Sequence, residues 1–78
     1  DVPPKPDPTL VRRALAQLTV SAADAVYVGD SEVDVSTARN AGLPLVAVSW
    51  GFRSRRTLTE AGAETIADTA AELLEKLQ

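Results

Sequence analysis

The sequence predicts an α/β fold, in which a parallel sheet is flanked by helices. Short apolar runs alternate with segments whose apolar residues recur at helical spacing, in the order helix–strand–helix–strand–helix–short strand–helix. The runs at 25–29 and 44–49 are apolar on both faces, which is typical of strands buried in a parallel sheet. Strands that alternate with helices are joined by right-handed crossovers, so we expect parallel strands throughout.

The first helix is expected from Pro8 to Leu18. Asp7 would be its N-cap and Pro8 its first residue, because the first helical turn leaves its amides unpaired and proline has none to lose. A linker follows over 19–24, with a single turn in it. The first strand is then expected at 25–29, where it ends at a glycine.

The chain after residue 30 is expected to hold three helices and two strands. Gly42 would end the first of these helices, since glycine readily adopts the left-handed conformation found there. Thr69 and Glu72 have the spacing of a capping box, which marks the start of the last helix. The expected helices are 31–41, 53–61 and 69–77, and the expected strands are 44–49 and a short edge strand at 64–67.

Composition limits the chemistry of this chain. Its 78 residues make one small domain of marginal stability. It contains no cysteine and no histidine, so any metal would be held by oxygen ligands, as Mg²⁺, Ca²⁺ and Mn²⁺ prefer. The net charge of −3 argues against nucleic-acid binding. No apolar run approaches the roughly 20 residues that a membrane span needs, so we expect a cytoplasmic protein without a membrane partner.

The most informative segment runs from Gly29 to Asp34, where two carboxylates follow the end of a strand. Asp30 lies at the carboxyl end of that strand, the edge at which open α/β sheets bind ligands. Ser31 and Asp34 have capping-box spacing, which is a purely structural interpretation. Capping does not explain Asp30, whose carboxylate needs a partner, and a divalent cation such as Mg²⁺ suits it. The two interpretations are compatible, because Asp34 can cap the helix and face a site.

Lys5 lies between Pro4 and Pro6 and has two interpretations. It is either a solvated lysine beside a helix start or an ammonium held towards a phosphoryl group. The flanking prolines restrict the backbone, as the second interpretation requires.

Aromatic and basic residues near the strand ends are interpreted first as structural. Tyr27 lies inside a strand, and Trp50 and Phe52 are expected in a core or an interface, or exposed if a part that covered them is absent. Arg53, Arg55 and Arg56 would form a solvated helix start, with a role near an anionic substrate or a domain contact as the alternative.

Taken together, the residues Lys5–Pro8 and Val26–Asp34 resemble the second half of a haloacid dehalogenase (HAD)-type phosphatase. Within that superfamily the chain is most similar to phosphoglycolate phosphatases, and the resemblance extends through Ala38–Gly42 to Trp50–Phe52. It implies the C-terminal part of a Rossmann-like parallel sheet, over residues 1–78. It also implies hydrolysis of a small phosphorylated metabolite through an aspartyl-phosphate, with Mg²⁺ as cofactor.

The resemblance also implies roles for four residues. Lys5 matches the lysine that neutralises the nucleophile and the transferring phosphoryl group. Asp30 matches an acid that holds Mg²⁺, and Asp34 matches a second acid that supports the metal shell and the lysine. Ser31 matches the residue between them and is expected to contact substrate and cap the helix.

The family's nucleophile segment, Asp-x-Asp-x-Thr/Val, does not occur in these 78 residues. The second phosphate-binding serine or threonine and the cap domain are likewise not recognisable. We therefore expect a C-terminal fragment of the core domain, inactive alone and with weak or no Mg²⁺ binding.

Two other functions remain open at this point. The first is a non-catalytic α/β module that self-associates through an open sheet edge or pairs with a missing N-terminal half. The second is a receiver-like domain, which also carries acids at strand ends. It is disfavoured because Lys5 precedes the acid pair and no phosphoacceptor aspartate lies on an earlier strand.

Overall fold

The computed structural model describes residues 3–78, which form a three-stranded sheet and four α-helices. The sheet is parallel throughout, with its strands in the order β1-β2-β3, and this confirms the predicted α/β class. The strands are β1 (Tyr27–Gly29), β2 (Leu45–Val48) and β3 (Ile66–Ala67). The helices are α1 (Thr9–Leu18), α2 (Glu32–Ala41), α3 (Arg55–Glu60) and α4 (Ala70–Leu77), and a 3₁₀ turn at Ala22–Asp24 precedes β1.

The central strand β2 is buried on both faces, as its continuous apolar run predicts. Ala47 packs with Val35 of α2 and Leu58 of α3 on one face. Val46 and Val48 pack towards α4 on the other face, together with Ala67 and Leu73. The fold therefore has a helix–sheet–helix layering around β2.

Polar side chains cap the starts of three helices. Ser31, Ser54 and Thr69 accept hydrogen bonds from the amides three residues later, at 3.3, 3.3 and 3.1 Å. Gly42 ends α2 in the left-handed conformation, with φ 74°, as predicted. These caps use residues close in sequence, which explains why the helices were predictable.

Several predicted boundaries were wrong by one or two residues. Pro8 occupies the N-cap position of α1, and Asp7 instead accepts a hydrogen bond from the Thr9 amide at 2.8 Å. β1 starts at Tyr27 rather than at residue 25, because its pairing with β2 begins there. α3 starts at Arg55 rather than at residue 53, because Ser54 caps it and the Arg53 amide is bound elsewhere.

The outer elements of the fold are covered on one side only. β1 and β3 are the edge strands of this sheet, and Val28 of β1 is 44% exposed. Neither α1 nor α4 contains a fully buried residue. Within residues 3–78, none of the helices is long and apolar enough to cross a membrane.

Candidate functional site

Lys5, Asp30, Ser31 and Asp34 lie together at the carboxyl end of β1. Asp30 directly follows the strand, Ser31 is the N-cap of α2, and Asp34 lies in the first turn of that helix. Lys5 comes from the segment before α1, and its Nζ lies 2.6 Å from Oδ1 of Asp34. The ion pair joins residues 29 positions apart, so it fixes the N-terminal segment at the sheet edge.

Both carboxylate oxygens of Asp34 accept hydrogen bonds. Oδ1 accepts from Lys5 and, at 3.0 Å, from the Tyr27 hydroxyl. Oδ2 accepts from the Asp30 amide at 3.0 Å and from the Ser31 hydroxyl at 3.1 Å. The side chain of Asp34 is only 7% exposed. A cation bound directly to Asp34 would have to displace one of these donors, so the geometry favours a supporting role for this acid.

Gly29 gives Asp34 the space to fold back over the end of β1. A Cβ atom at position 29 would lie 2.7 Å from Cγ and 2.8 Å from Oδ2 of Asp34, closer than such atoms approach in proteins. The left-handed backbone that often requires a glycine is not the reason, since the glycines with positive φ are Gly42 and Gly62. The requirement at Gly29 is close approach of a side chain.

The site holds opposite charges at neutral pH. Burial alone raises the pKa of Asp34, but hydrogen bonds from Lys5, the Asp30 amide and Tyr27 outweigh it and lower the pKa to about 2. The hydrogen bond to Asp34 raises the pKa of Lys5. Burial, assisted by Asp34, raises the pKa of Tyr27. The site therefore combines a carboxylate, an ammonium and a neutral phenol.

Acid is expected to weaken the fold as Asp34 takes up a proton. Because its pKa in the fold lies below the ordinary 3.8, the ionised form favours folding. This contribution, on the order of 2 kcal/mol, is complete above the ordinary pKa and is lost as the pH falls through about 2. Urea unfolding between pH 2 and the ordinary pKa of 3.8 measures this loss of stability, and NMR titration of the Asp34 carboxyl carbon measures its pKa. An NMR midpoint near 3.8 would contradict the network.

Asp30 contacts the loop that follows β2. The Phe52 amide donates to Oδ2 of Asp30 at 3.0 Å, and the Arg53 amide donates to its backbone oxygen at 3.0 Å. Within residues 3–78, hydrogen bonds to this carboxylate reach only Oδ2. Oδ1 is thus left as an oxygen donor of the type that Mg²⁺ prefers. In the same part of the chain, no group of three or more acidic side chains could hold a metal ion.

The arginines after β2 each pair with an acid. Arg53 contacts Glu32 at 2.9 Å, Arg55 contacts Asp68 at 2.7 Å, and Arg56 contacts Glu60 at 3.5 Å. These pairs are exposed, and such pairs contribute little to stability. Each arginine of this cluster is therefore paired with an acid of the described chain. This agrees with the interpretation of the cluster as part of a solvated helix start.

The aromatic residues near the site are the partly buried Tyr27 and the exposed pair Trp50 and Phe52. The Tyr27 hydroxyl, expected to be only structural, donates to Asp34. Strand alternation is a signal for this, because Tyr27 and Gly29 face the same side of β1 and Asp34 folds over Gly29. Trp50 and Phe52 are exposed, and Arg53 lies 4.2 Å from the centroid of the Phe52 ring. The Phe52 contact to Asp30 was missed because it uses the backbone, which leaves no side-chain signal.

Comparisons with known proteins point to one family. The HAD-hydrolase-like family model matches residues 2–75. The phosphoglycolate phosphatase of Rhodospirillum rubrum is 45% identical over 69 residues, which cover 88% of this chain and 28% of that protein. A crystal structure from Lactobacillus delbrueckii subsp. bulgaricus, assigned as a phosphoglycolate phosphatase, has TM-score 0.94 and 42% identity, covering 97% of this chain and 32% of its own.

A third relative was solved with a sugar bisphosphate. A mutant of CbbY from Rhodobacter sphaeroides, in complex with xylulose-(1,5)-bisphosphate, has TM-score 0.77 and 36% identity, covering 94% of this chain and 32% of its own. The present chain spans about a third or less of the length of each of these relatives.

Proposed function

Because this chain belongs to the HAD-hydrolase-like family, we propose that it supplies the lysine and the metal-binding acid of a Mg²⁺-dependent phosphatase. The proposed reaction is hydrolysis of a small, phosphoglycolate-like phosphate monoester. The observation that carries the proposal is the Lys5–Asp34 ion pair beside Asp30, at the carboxyl end of β1. A phosphoryl group and its counter-ion need this combination of a fixed ammonium and an available carboxylate oxygen.

The proposed roles follow from what each side chain already contacts. Lys5 is 48% exposed, and an ammonium has three donors, so donors remain for phosphoryl oxygens beside the one given to Asp34. Asp30 would hold Mg²⁺ through Oδ1, and Asp34 would support that shell by fixing Lys5 and the Asp30 backbone. When bound, Mg²⁺ would offset negative charge on the phosphoryl oxygens. The Ser31 hydroxyl already donates to Asp34, so its contact with substrate stays a prediction.

The proposed chemistry consists of two displacements at phosphorus. An aspartate carboxylate of the parent protein attacks phosphorus, the ester P–O bond breaks, and the leaving oxygen takes up a proton to depart as an alcohol. Water then cleaves the aspartyl-phosphate, which releases inorganic phosphate and restores the carboxylate. Lys5 stabilises charge on the phosphoryl oxygens in both steps. Since the Asp-x-Asp-x-Thr/Val segment is not found in these 78 residues, the chain alone is proposed to be inactive.

The proposed substrate also suggests where the protein works. The sugar bisphosphate bound by CbbY supports a small phosphorylated metabolite as the substrate class. Such anions do not cross a membrane unaided, because transfer of a charge into an apolar medium is very costly. We therefore propose a cytoplasmic location.

A chimera tests the proposed function. In it, this chain replaces the matching segment of the R. rubrum phosphoglycolate phosphatase, to which it aligns over 69 residues. We expect Mg²⁺-dependent release of phosphate from phosphoglycolate, and a loss of about hundredfold in kcat in the Lys5→Met chimera. Arg56→Met is the control, because it also removes a long cationic side chain, one that pairs with Glu60 of the same helix, and it should leave kcat unchanged.

Two outcomes would contradict the proposal. A chimera that folds, as judged by circular dichroism, yet releases no phosphate would mean that this chain does not supply the lysine and metal acid. Hydrolysis of phosphoglycolate by the 78-residue chain alone, abolished by Asp30→Asn, would mean that the nucleophile lies within it.

A second candidate function rests on the edge of the sheet. β1 is an edge strand, Val28 within it and Val26 just before it are exposed, and unpaired strand edges can pair with another chain. The alternative is thus a non-catalytic module that self-associates or pairs with a missing N-terminal half. Sedimentation velocity over a range of protein concentrations, together with the activity of the chimera, distinguishes this module from the phosphatase segment. A dimer together with an inactive chimera would favour the module, and a monomer at all concentrations would rule out self-association.

A further inference from the structure

We propose that the loop between β2 and α3 (residues 49–54) positions Asp30, and that Gly51 is the residue that permits it. The inference rests on the metal-binding role proposed for Asp30. The positioning role falls on a loop that is separate from β1 and α2. Gly51 itself cannot bind a metal through a side chain, because glycine has none.

Two successive amides of this loop hold Asp30. The Phe52 amide donates to the carboxylate at Oδ2, and the Arg53 amide donates to the backbone oxygen of the same residue, both at 3.0 Å. Together they fix the backbone of Asp30 and the rotation of its carboxylate. Because Oδ2 is used in this way, the loop determines where Oδ1 lies.

Gly51 allows the loop to come this close. A Cβ atom at position 51 would overlap Oδ2 of Asp30 and lie 2.6 Å from its Cβ and 2.9 Å from its Cγ. Rotation about the side-chain torsion cannot relieve the contact with Cβ, because that atom moves only with the backbone. A larger residue must therefore push the loop away from Asp30 or shift Asp30 itself.

The loop is anchored on both sides, so it cannot retreat freely. Ser49 donates to Asp68 at 2.6 Å, and Arg55 donates to the other oxygen of the same carboxylate at 2.7 Å. Asp68 directly follows β3, so it ties both flanks of the loop to the neighbouring strand. Arg53 is further held by Glu32 of α2. Strain introduced at Gly51 is therefore transmitted to Asp30.

Hydrogen bonds to a metal ligand from groups that do not touch the metal increase metal affinity, because they orient the ligand before the metal binds. In this chain the orienting groups are backbone amides, and the position that admits them is Gly51. The loop that follows β2 thus influences how Asp30, which follows β1, binds a metal.

NMR titration with Mg²⁺ into the millimolar range tests the inference in the ¹⁵N-labelled chimera, in which this chain replaces the matching segment of the R. rubrum phosphatase and the nucleophile segment is present. We expect Gly51→Ala to raise the apparent Kd at the Asp30 and Ser31 amides about tenfold. We also expect it to move the Phe52 amide resonance before any metal is added. Gly42→Ala is the matched control, because alanine is strained at φ 74° but its Cβ has no neighbour within 4 Å. It should lower stability and leave the Kd unchanged.

The outcomes separate this inference from the proposed function. A Gly51→Ala variant with the wild-type Kd and an unmoved Phe52 resonance would overturn the positioning role and leave the metal role intact. A chimera with wild-type residues in this segment that shows no Mg²⁺-dependent shift at Asp30 would overturn the metal role itself. If Gly51→Ala fails to fold, Ser49→Ala removes the anchor on the β2 side of the loop without adding a side chain near Asp30, and we expect it to move the Phe52 amide resonance and raise the Kd. An unchanged Kd in that variant counts against the inference.

Discussion

Asp34→Asn is expected to lower the free energy of unfolding by about 3 kcal/mol. Asparagine has the shape of aspartate, but one of its oxygens is replaced by an amide nitrogen that donates. All four neighbours of Asp34 are themselves donors, so at least one pair of donors would face each other. Lys5 also loses its counter-ion. A chain of this length has a total stability of about 4 to 12 kcal/mol, so the loss is severe.

Asp68→Asn is the matched control for this substitution. Asp68 also accepts hydrogen bonds at both oxygens, from Ser49 and Arg55, but it is exposed and water can replace either donor. We expect a loss below about 1 kcal/mol. Urea unfolding of both variants at neutral pH makes the comparison, and equal losses would show that the buried network around Asp34 has no special importance for stability.

Leu58→Ala is expected to destabilise the chain by about 3 kcal/mol, within the usual range for buried leucines. Leu58 is fully buried and packs α3 against Val35 of α2 and against Ala47 and Ile66 of the sheet. Its removal leaves a cavity where α2, α3 and the sheet meet, and a small domain has few other apolar contacts to compensate.

Leu74→Ala removes the same atoms from α4, where the leucine is 63% exposed. We expect a change of less than about 0.5 kcal/mol. Thermal and urea unfolding of both variants provide the measurement. A loss for Leu74→Ala as large as that for Leu58→Ala would contradict the assignment of Leu58 to the core and of Leu74 to the surface.

The helices were predictable where local chemistry determines their ends. Ser31, Thr69 and Gly42 cap their helices through contacts within a few residues, so the sequence carries the signal. The start of α3 was misplaced because the Arg53 amide is held by Asp30, a contact between distant parts of the chain. Strand lengths were overestimated for a similar reason, since β1 extends only as far as its pairing with β2.

The charged residues of the candidate site and Ser31 were predictable from the sequence, whereas Tyr27 and Phe52 were not. Asp30 and Asp34 stand out because a buried strand should not end in unpaired charges, and the resemblance indicated Lys5. Tyr27 and Phe52 were missed because a tyrosine in a strand is usually a packing residue and a backbone amide occurs at almost every position. Their contributions depend on distances that only the folded structure provides.

The strand order has a consequence for how this chain folds. Each strand pairs in parallel with the next strand in the sequence, across a connection that contains one helix, so the sheet joins neighbouring parts of the chain. The contact between Lys5 and Asp34 spans 29 positions and needs α2 to be in place first. We therefore expect this ion pair to form after the transition state. Interactions formed that late slow unfolding rather than speed folding, so the same charges that are proposed to serve the chemistry would lengthen the lifetime of the folded state.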